Sequence, residues 1–107
     1  MEFAPLMPSI DGAAVRKLVI ACDAGMASSV LMSSQLRKHL SPRVVVSHSP
    51  VDALPADADV VLTHGKLAER VRLAAGDRPV VAYDLLVGDP AVDGLVRAIR
   101  EGQQIEA

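Results

Sequence analysis

The residues with the clearest chemical potential surround the single cysteine of the chain. Cys22 follows the apolar run Leu18-Val-Ile-Ala21 and precedes the stretch Asp-Ala-Gly-Met-Ala-Ser-Ser29. An apolar run, a short stretch with a glycine and then a helical pattern predict a strand, an anion-binding loop and a helix N-terminus. A thiol at such a turn is suited to ionise, to act as a nucleophile and to carry a phosphoryl group.

The predicted loop offers hydrogen-bond donors to a bound phosphoryl group. Backbone N–H groups at a helix N-terminus lack partners within the helix and can turn inward as an anion-binding nest. Gly25 permits a left-handed backbone in this loop. Ser28 and Ser29 add hydroxyl groups, and one of them can also cap the helix. These donors favour the thiolate form of the cysteine, whereas Asp23 adds an opposing charge nearby.

A plainer interpretation of these residues is also open at this stage. A lone cysteine at the end of a buried strand is often a small core residue. The turn Gly25-Met-Ala-Ser-Ser29 into a helix favours the nucleophile over that alternative. Met26 is equally compatible with a core position and with an exposed apolar contact for a docking partner.

Composition excludes several classes of function. The chain has 107 residues, which suits one domain, and a formal net charge of −2, which provides no basic surface for nucleic acid. Phe3 and Tyr83 are the only aromatic residues among Phe, Trp and Tyr, so bases have no stacking platform. We expect no metal or cofactor, no signal peptide and no segment inserted in a membrane, since no apolar stretch approaches about 20 residues. A lone thiol suits the reducing cytoplasm.

Strand and helix patterns alternate along the chain. Continuous apolar runs separated by helices predict a parallel sheet covered on both faces, hence an α/β three-layer sandwich. We expect four strands in the spatial order 2-1-3-4, a flexible leader over 1–14, a folded domain over 15–103 and a frayed end over 104–107. The predicted strands and main helices are Leu18–Ala21, Ser29–Leu40, Val44–His48, Asp59–Thr63, Lys66–Ala75, Pro79–Tyr83 and a last helix from Pro90.

Ligands of such sheets bind beyond the carboxyl ends of the strands, where the strand order reverses. The predicted topology therefore puts Cys22 at the expected ligand position. His64 follows the third strand, which adjoins the first, so it belongs to the same edge. It is either a residue that orients the loop or meets a partner, or a hydrogen-bonded loop histidine without such a role. For His39 and His48 we expect no functional role.

Two stretches resemble a known family. Val19-Ile-Ala-Cys-Asp-Ala-Gly-Met-Ala-Ser-Ser29 resembles the phosphocysteine loop of mannitol-type enzyme IIB of the bacterial phosphoenolpyruvate-dependent sugar phosphotransferase system. Asp59-Val-Val-Leu-Thr-His-Gly-Lys-Leu-Ala-Glu-Arg70 is similar to that family's third strand and following helix, and favours the mannitol type over the lactose or cellobiose type. The likeness covers residues 16–100. The family usually has a second glycine where this chain has Ala27, and alanine fits there if its φ is negative.

The resemblance implies a phosphotransferase component that works as a relay. Enzyme IIA would pass a phosphoryl group from a histidine to Cys22, and Cys22 would pass it to a sugar or sugar alcohol held by the membrane component, enzyme IIC. The phosphoryl-binding loop would then consist of Asp23, Ala24, Gly25, Met26, Ala27, Ser28 and Ser29, with His64 as a possible supporting residue.

Two alternatives stay open. One is a regulatory IIB-like module whose phosphorylation state is sensed by another protein. The other is an enzyme similar to low-molecular-weight phosphatases, which use a Cys-x5-Arg loop and an Asp-Pro general acid. Position 28 is serine rather than arginine, which argues against hydrolysis. Asp89-Pro90 matches the acid in sequence, but the same pair is also a plain helix start.

Overall fold

A four-stranded parallel sheet lies at the centre of the molecule. The structure, a computed structural model, describes residues 9–22, 27–40, 42–85 and 88–106. The sheet consists of β2 (Lys17–Cys22), β3 (Val45–Pro50), β4 (Val60–His64) and β5 (Val80–Tyr83). Their spatial order is β3-β2-β4-β5, with every neighbouring pair parallel. Counted by appearance within this sheet, that order is 2-1-3-4, so the predicted topology is confirmed.

Helices cover both faces of the sheet, which confirms the three-layer architecture. Strand residues alternate between the faces, so Leu18 and Ile20 pack with α1 (Ala27–Leu40) and α3 (Pro90–Glu101). On the other face Val19 packs with α2 (Ala68–Ala75). The first core also includes Met32, Leu36, Leu62, Leu95 and Ile99, and the second Ala21, Val61, Val71 and Val80.

The helix starts differ slightly from the predicted ones. α1 begins at Ala27, two residues before the predicted Ser29. The helix predicted from Lys66 begins instead with a 3-10 turn over Gly65–Leu67, and regular α-helix follows from Ala68. The His64 side chain caps that turn, which accounts for the tighter first turn.

The two ends of the described chain are more ordered than the predicted flexible leader (1–14) and frayed end (104–107). β1 (Ser9–Asp11) pairs antiparallel with β6 (Gln104–Glu106). Ile105 is buried in this small second sheet, and Ile10 packs against the core beside it. Strands of three residues are too short to show an alternating pattern, which explains why the sequence did not reveal them.

Gly12 holds the amino-terminal segment against α3. Its N–H donates to the carbonyl oxygen of Gln103 at 2.8 Å. A methyl group at this position would overlap the carbonyl oxygen of Ala98. The close approach of the two backbones therefore requires a residue without a side chain.

Candidate functional site

Cys22 ends the central strand β2 at the carboxyl edge of the sheet. β2 lies between β3 and β4, so the chain leaves it first to one side and later to the other, which is the switch point where such sheets bind ligands. The thiol is half-buried, and its Sγ donates to the carbonyl oxygen of Ser49 at 3.6 Å. Because this contact requires a proton on sulfur, a thiolate or a phosphorylated sulfur loses it.

The loop predicted to bind the phosphoryl group falls largely outside the described residues. This holds for Asp23, Ala24, Gly25 and Met26, and for the side chains of Ala27, Ser28 and Ser29. The roles predicted for them, including docking through Met26, therefore stay predictions. What the structure shows is that the backbone of 27–29 is helical and begins a helix of 14 residues.

The helical start of α1 shows that alanine fits at position 27, where the family usually has a second glycine. Ala27 is the first residue of the helix, and none of the described residues other than glycine has a positive φ. The backbone at this position therefore does not require the glycine that is usual in the family.

A side-chain hydrogen bond from Thr63 joins β4 to the residue of β2 that precedes the cysteine. Its side chain is fully buried, and its Oγ1 donates to the carbonyl oxygen of Ala21 at 2.9 Å. The same two residues are register partners in the β2–β4 ladder. This side-chain bond adds to the ladder directly beneath Cys22 and fixes the lateral position of the strand end.

His64 ends β4, one residue beyond the register pair of Ala21 and Thr63, so it belongs to the same carboxyl edge of the sheet as Cys22. Its Nδ1 accepts a hydrogen bond from the backbone N–H of Lys66 at 3.1 Å. The ring also meets Tyr83 edge to face, with ring centroids 5.7 Å apart and an interplanar angle of 80°. His64 is thus a hydrogen-bonded loop histidine, and its position also agrees with a role at the site.

The other two histidines, His39 and His48, are both exposed and do not have the position that His64 has. His39 lies in the last turn of α1, where a cation suits the helix dipole, and it is exposed. His48 is also exposed, and in the ladder it pairs with Ile20, two residues before the cysteine. Neither position gives a reason to assign these residues a function.

Asp89 is a structural residue, in agreement with the plain helix-start interpretation of Asp89-Pro90. It is 5% exposed. Oδ1 accepts from the N–H groups of Ala91 and Val92 at 2.8 and 3.4 Å, which caps α3. Oδ2 accepts from the N–H groups of Asp84 and Leu85 at 2.8 and 2.9 Å, which holds the segment after β5.

These four contacts keep the Asp89 carboxylate ionised. Burial alone would raise the pKa of Asp89, but hydrogen bonds from the N–H groups of Asp84, Leu85, Ala91 and Val92 outweigh it and lower the pKa below its ordinary value. A group with both oxygens engaged in this way has no proton to give near neutral pH. It does not suit the role of general acid.

A cleft between α1 and α3 lies apart from the cysteine. It has a volume of about 490 Å³ and runs between α1 and α3, with Met32, Leu36, Val92 and Val96 among its lining residues. Cys22 and His64 do not line it. This cleft is therefore separate from the candidate site at the carboxyl edge of the sheet.

Three residues of the site edge were not singled out from the sequence. The Ser49 carbonyl meets the thiol only because the register pairs Cys22 with Pro50, and strand register leaves no local mark in the sequence. Tyr83 supports His64 through the β4–β5 pairing, which is equally non-local. Thr63 did leave a signal, since it is a polar residue at the end of an otherwise apolar run.

Comparison with known proteins agrees with this geometry. Residues 17–94 match the family model described as "PTS system, Lactose/Cellobiose specific IIB subunit". An Escherichia coli (strain K12) protein named "PTS system mannitol-specific cryptic EIICB component" is 37% identical over 84 residues, covering 76% of this chain and 18% of the relative. The Bacillus subtilis (strain 168) mannitol-specific EIICB component is 31% identical over 90 residues, covering 81% of this chain and 19% of the relative.

A third relative, the Vibrio cholerae mannitol-specific EIICBA component, is 42% identical over 66 residues, which cover 59% of this chain and 10% of the relative. The chain thus spans less than a fifth of the length of these relatives. In its described part, no helix is long and apolar enough to cross a membrane. The family match, the names of the relatives, and the cysteine at the switch point of a 2-1-3-4 sheet agree: the chain belongs to the IIB family of the sugar phosphotransferase system, with mannitol-type relatives.

Proposed function

We propose that this domain carries a phosphoryl group on Cys22, received from a phosphohistidine of enzyme IIA and passed to a sugar or sugar alcohol bound by enzyme IIC. The observation that carries the proposal is the position of the thiol. Cys22 ends the central strand, and α1 begins at Ala27, so the unpaired N–H groups of a 14-residue helix follow the thiol closely in the chain.

The chemistry consists of two displacements at phosphorus. In the first, the thiol loses its proton and the Cys22 thiolate attacks the phosphorus. The S–P bond forms, and the N–P bond to the IIA histidine breaks with its electron pair returning to nitrogen, where the histidine takes up a proton that balances the one released by the thiol. In the second, a sugar hydroxyl oxygen attacks the phosphorus, loses its proton, and the S–P bond breaks to regenerate the thiolate. Neither step changes an oxidation state, so no redox cofactor is required.

The resting contact of the thiol fits this cycle. The bond from Sγ to the Ser49 carbonyl exists only in the protonated form and is weak, as thiol hydrogen bonds are. Donation of the proton releases the sulfur from this carbonyl. The first step therefore breaks little structure in the described part of the site.

Transfer to a partner is favoured over hydrolysis by two observations. Position 28 holds serine rather than the arginine of phosphatase loops, so charge stabilisation is weaker in the transition state. Asp89 has both oxygens occupied by backbone N–H groups and does not supply a proton to a leaving group. A phosphocysteine in such surroundings persists until a partner docks.

The names of the relatives, rather than the geometry, support our proposals for the substrate, the partners and the location. The names of the relatives include the words mannitol-specific and join IIB to IIC, and in some proteins also to IIA. We therefore favour mannitol or a similar sugar alcohol as the final acceptor and the cytoplasm as the place of action. A regulatory module that only reports its phosphorylation state is the alternative, and delivery to a sugar distinguishes the two.

The proposal is tested by phosphorylation from phosphoenolpyruvate. With the general phosphotransferase proteins and a matching IIA, the domain should take up one phosphoryl group per chain. Cys22→Ser should take up none, because serine lacks an accessible anionic nucleophile at neutral pH. His39→Ala is the matched control, since this exposed residue lies in the last turn of α1, at the end of the helix remote from the residues that follow the thiol, and it should be labelled normally.

Two outcomes would overturn the proposal. Labelling of Cys22→Ser at the wild-type level would place the phosphoryl group elsewhere. Robust turnover of p-nitrophenyl phosphate by the wild type, lost in Cys22→Ser, would indicate a phosphatase instead of a carrier.

A further inference from the structure

We propose that His64 is a further functional residue of the transfer reaction, whose Nε2–H group donates a hydrogen bond to the phosphoryl group on Cys22. The inference rests on the proposed function and adds a side-chain donor to the loop amides. It is carried by three observations: the register of the strands, the hydrogen bond at Nδ1, and the contacts that hold the ring.

The register places the two side chains side by side. Ala21 and Thr63 are the last partners in the parallel β2–β4 ladder, whose strands lie about 4.8 Å apart, and Cys22 and His64 are the residues that directly follow them. Ile20 and Leu62 both face the core under α1 and α3. Because side chains alternate, Cys22 and His64, two residues further on, both belong to that same face.

The hydrogen bond at Nδ1 defines which ring nitrogen carries the proton. Lys66 N–H donates to Nδ1 at 3.1 Å, and a backbone N–H is never an acceptor, so Nδ1 is unprotonated in this arrangement. A neutral imidazole with an acceptor at Nδ1 has its proton at Nε2. The far side of the ring therefore presents a donor, which is the type of group that a phosphoryl dianion requires.

The ring is held in this arrangement by residues outside the loop. Tyr83 is 4% exposed and meets the His64 ring edge to face. The Thr63 hydroxyl fixes the end of β4 to β2. A donor held before the reaction loses little entropy when it binds.

Two substitutions separate the chemical role of His64 from its structural role. In His64→Asn the Oδ1 atom takes the place of Nδ1 and accepts from Lys66 N–H, but the Nε2–H donor is lost. In His64→Gln the side-chain amide nitrogen reaches the region of Nε2 and supplies a donor. A merely structural residue should tolerate asparagine at least as well as glutamine, because asparagine is the better cap.

The measurement is the equilibrium constant for phosphoryl transfer between IIA and this domain, followed by 31P NMR. For His64→Asn it should shift about tenfold or more toward phospho-IIA, the size expected for one hydrogen bond to a charged group. His64→Gln should recover a substantial part of this loss. The control His48→Asn, at an exposed histidine on the adjacent strand, should leave the constant unchanged.

The outcomes separate this inference from the proposed function. If wild-type Cys22 accepts no phosphoryl group, the proposed function fails. If the wild type is phosphorylated and His64→Asn has the wild-type equilibrium constant, the inference alone is overturned. Equal losses in His64→Asn and His64→Gln, with both variants folded, would also overturn it, since a donor at Nε2 would then not be the property that matters.

Discussion

Cys22 and Asp89 are two ionisable groups at the same edge of one sheet, and they differ in burial and in the hydrogen bonds they make. Asp89 accepts four backbone hydrogen bonds and is buried. Cys22 is half-buried, and within the described part of the chain its thiol makes one weak hydrogen bond, to the Ser49 carbonyl. Both oxygens of Asp89 accept hydrogen bonds that hold backbone segments in place. Deprotonation of Cys22, in contrast, breaks only one weak hydrogen bond among the described contacts.

The difference explains why this edge is suited to transfer. A carboxylate that is saturated with N–H donors stabilises the fold and is removed from acid–base chemistry. A sulfur with few attachments changes between thiol, thiolate and thiophosphate without breaking the frame around it. The comparison therefore predicts that substitutions of Asp89 mainly affect stability and substitutions of Cys22 mainly affect function, and variants at three positions test it.

The largest effect on stability is expected from Asp89→Ala. The substitution removes the cap of α3 and leaves the N–H groups of Asp84 and Leu85 without their partner, which should cost about 2–4 kcal/mol. The measurement is the urea midpoint at neutral pH. Asp93→Ala, at an exposed position in the first turn of the same helix, is the control and should change stability little.

The pH dependence of the same variant shows whether the negative charge of Asp89 is responsible for its contribution to stability. Because hydrogen bonds lower the pKa of Asp89 in the folded state, its contribution is fully present above the unfolded value of about 3.9 and is lost as the pH falls through the folded pKa. The stability gap between the wild type and Asp89→Ala should therefore narrow in acid. A gap that is constant from neutral pH down to strong acid would contradict the assignment.

An intermediate effect is expected at Gly12, far from the cysteine. Gly12→Ala forces a methyl group onto the Ala98 carbonyl and should destabilise the fold by about 1–3 kcal/mol. Gly94→Ala is the matched control, because Gly94 lies exposed in α3 with open space around it, and there alanine should stabilise by about 0.5–1 kcal/mol. Equal effects of the two variants would show that the packing at Gly12 is looser than described.

The smallest effect on stability is expected from Cys22→Ser. The thiol makes one weak described contact, so the free energy of unfolding should change by less than about 1 kcal/mol even though phosphoryl acceptance is lost. Thermal and urea unfolding of both proteins provide the comparison. A loss as large as that of Asp89→Ala would mean that Cys22 is a structural core residue, which is the plain alternative that the sequence left open.

Local patterns predicted much of this arrangement. The run Leu18–Ala21 predicted the central strand, and the alternation of apolar runs with helices predicted the order 2-1-3-4. Together they predicted that Cys22 lies at the switch point. Long apolar runs and amphipathic periods are local signals of burial, which is why they were sufficient.

What the sequence did not reveal depends on contacts between distant residues. The β1–β6 pairing joins Ser9–Asp11 to Gln104–Glu106, and neither strand is long enough for a pattern. The Ser49 carbonyl beside the thiol, and Tyr83 beside His64, follow from strand register. The role of Asp89 was predicted only as a helix start, because its bonds to the N–H groups of Asp84 and Leu85 depend on how the chain turns after β5.

We propose that Cys22 holds a phosphoryl group and transfers it to a partner instead of losing it by hydrolysis. A 31P NMR time course of the phosphorylated domain, before and after addition of IIC membranes with mannitol, tests it most directly. We predict a thiophosphate signal that persists in the isolated domain and decays on mixing, as a sugar phosphate signal grows. Release of inorganic phosphate at the same rate with and without the membranes would contradict the claim.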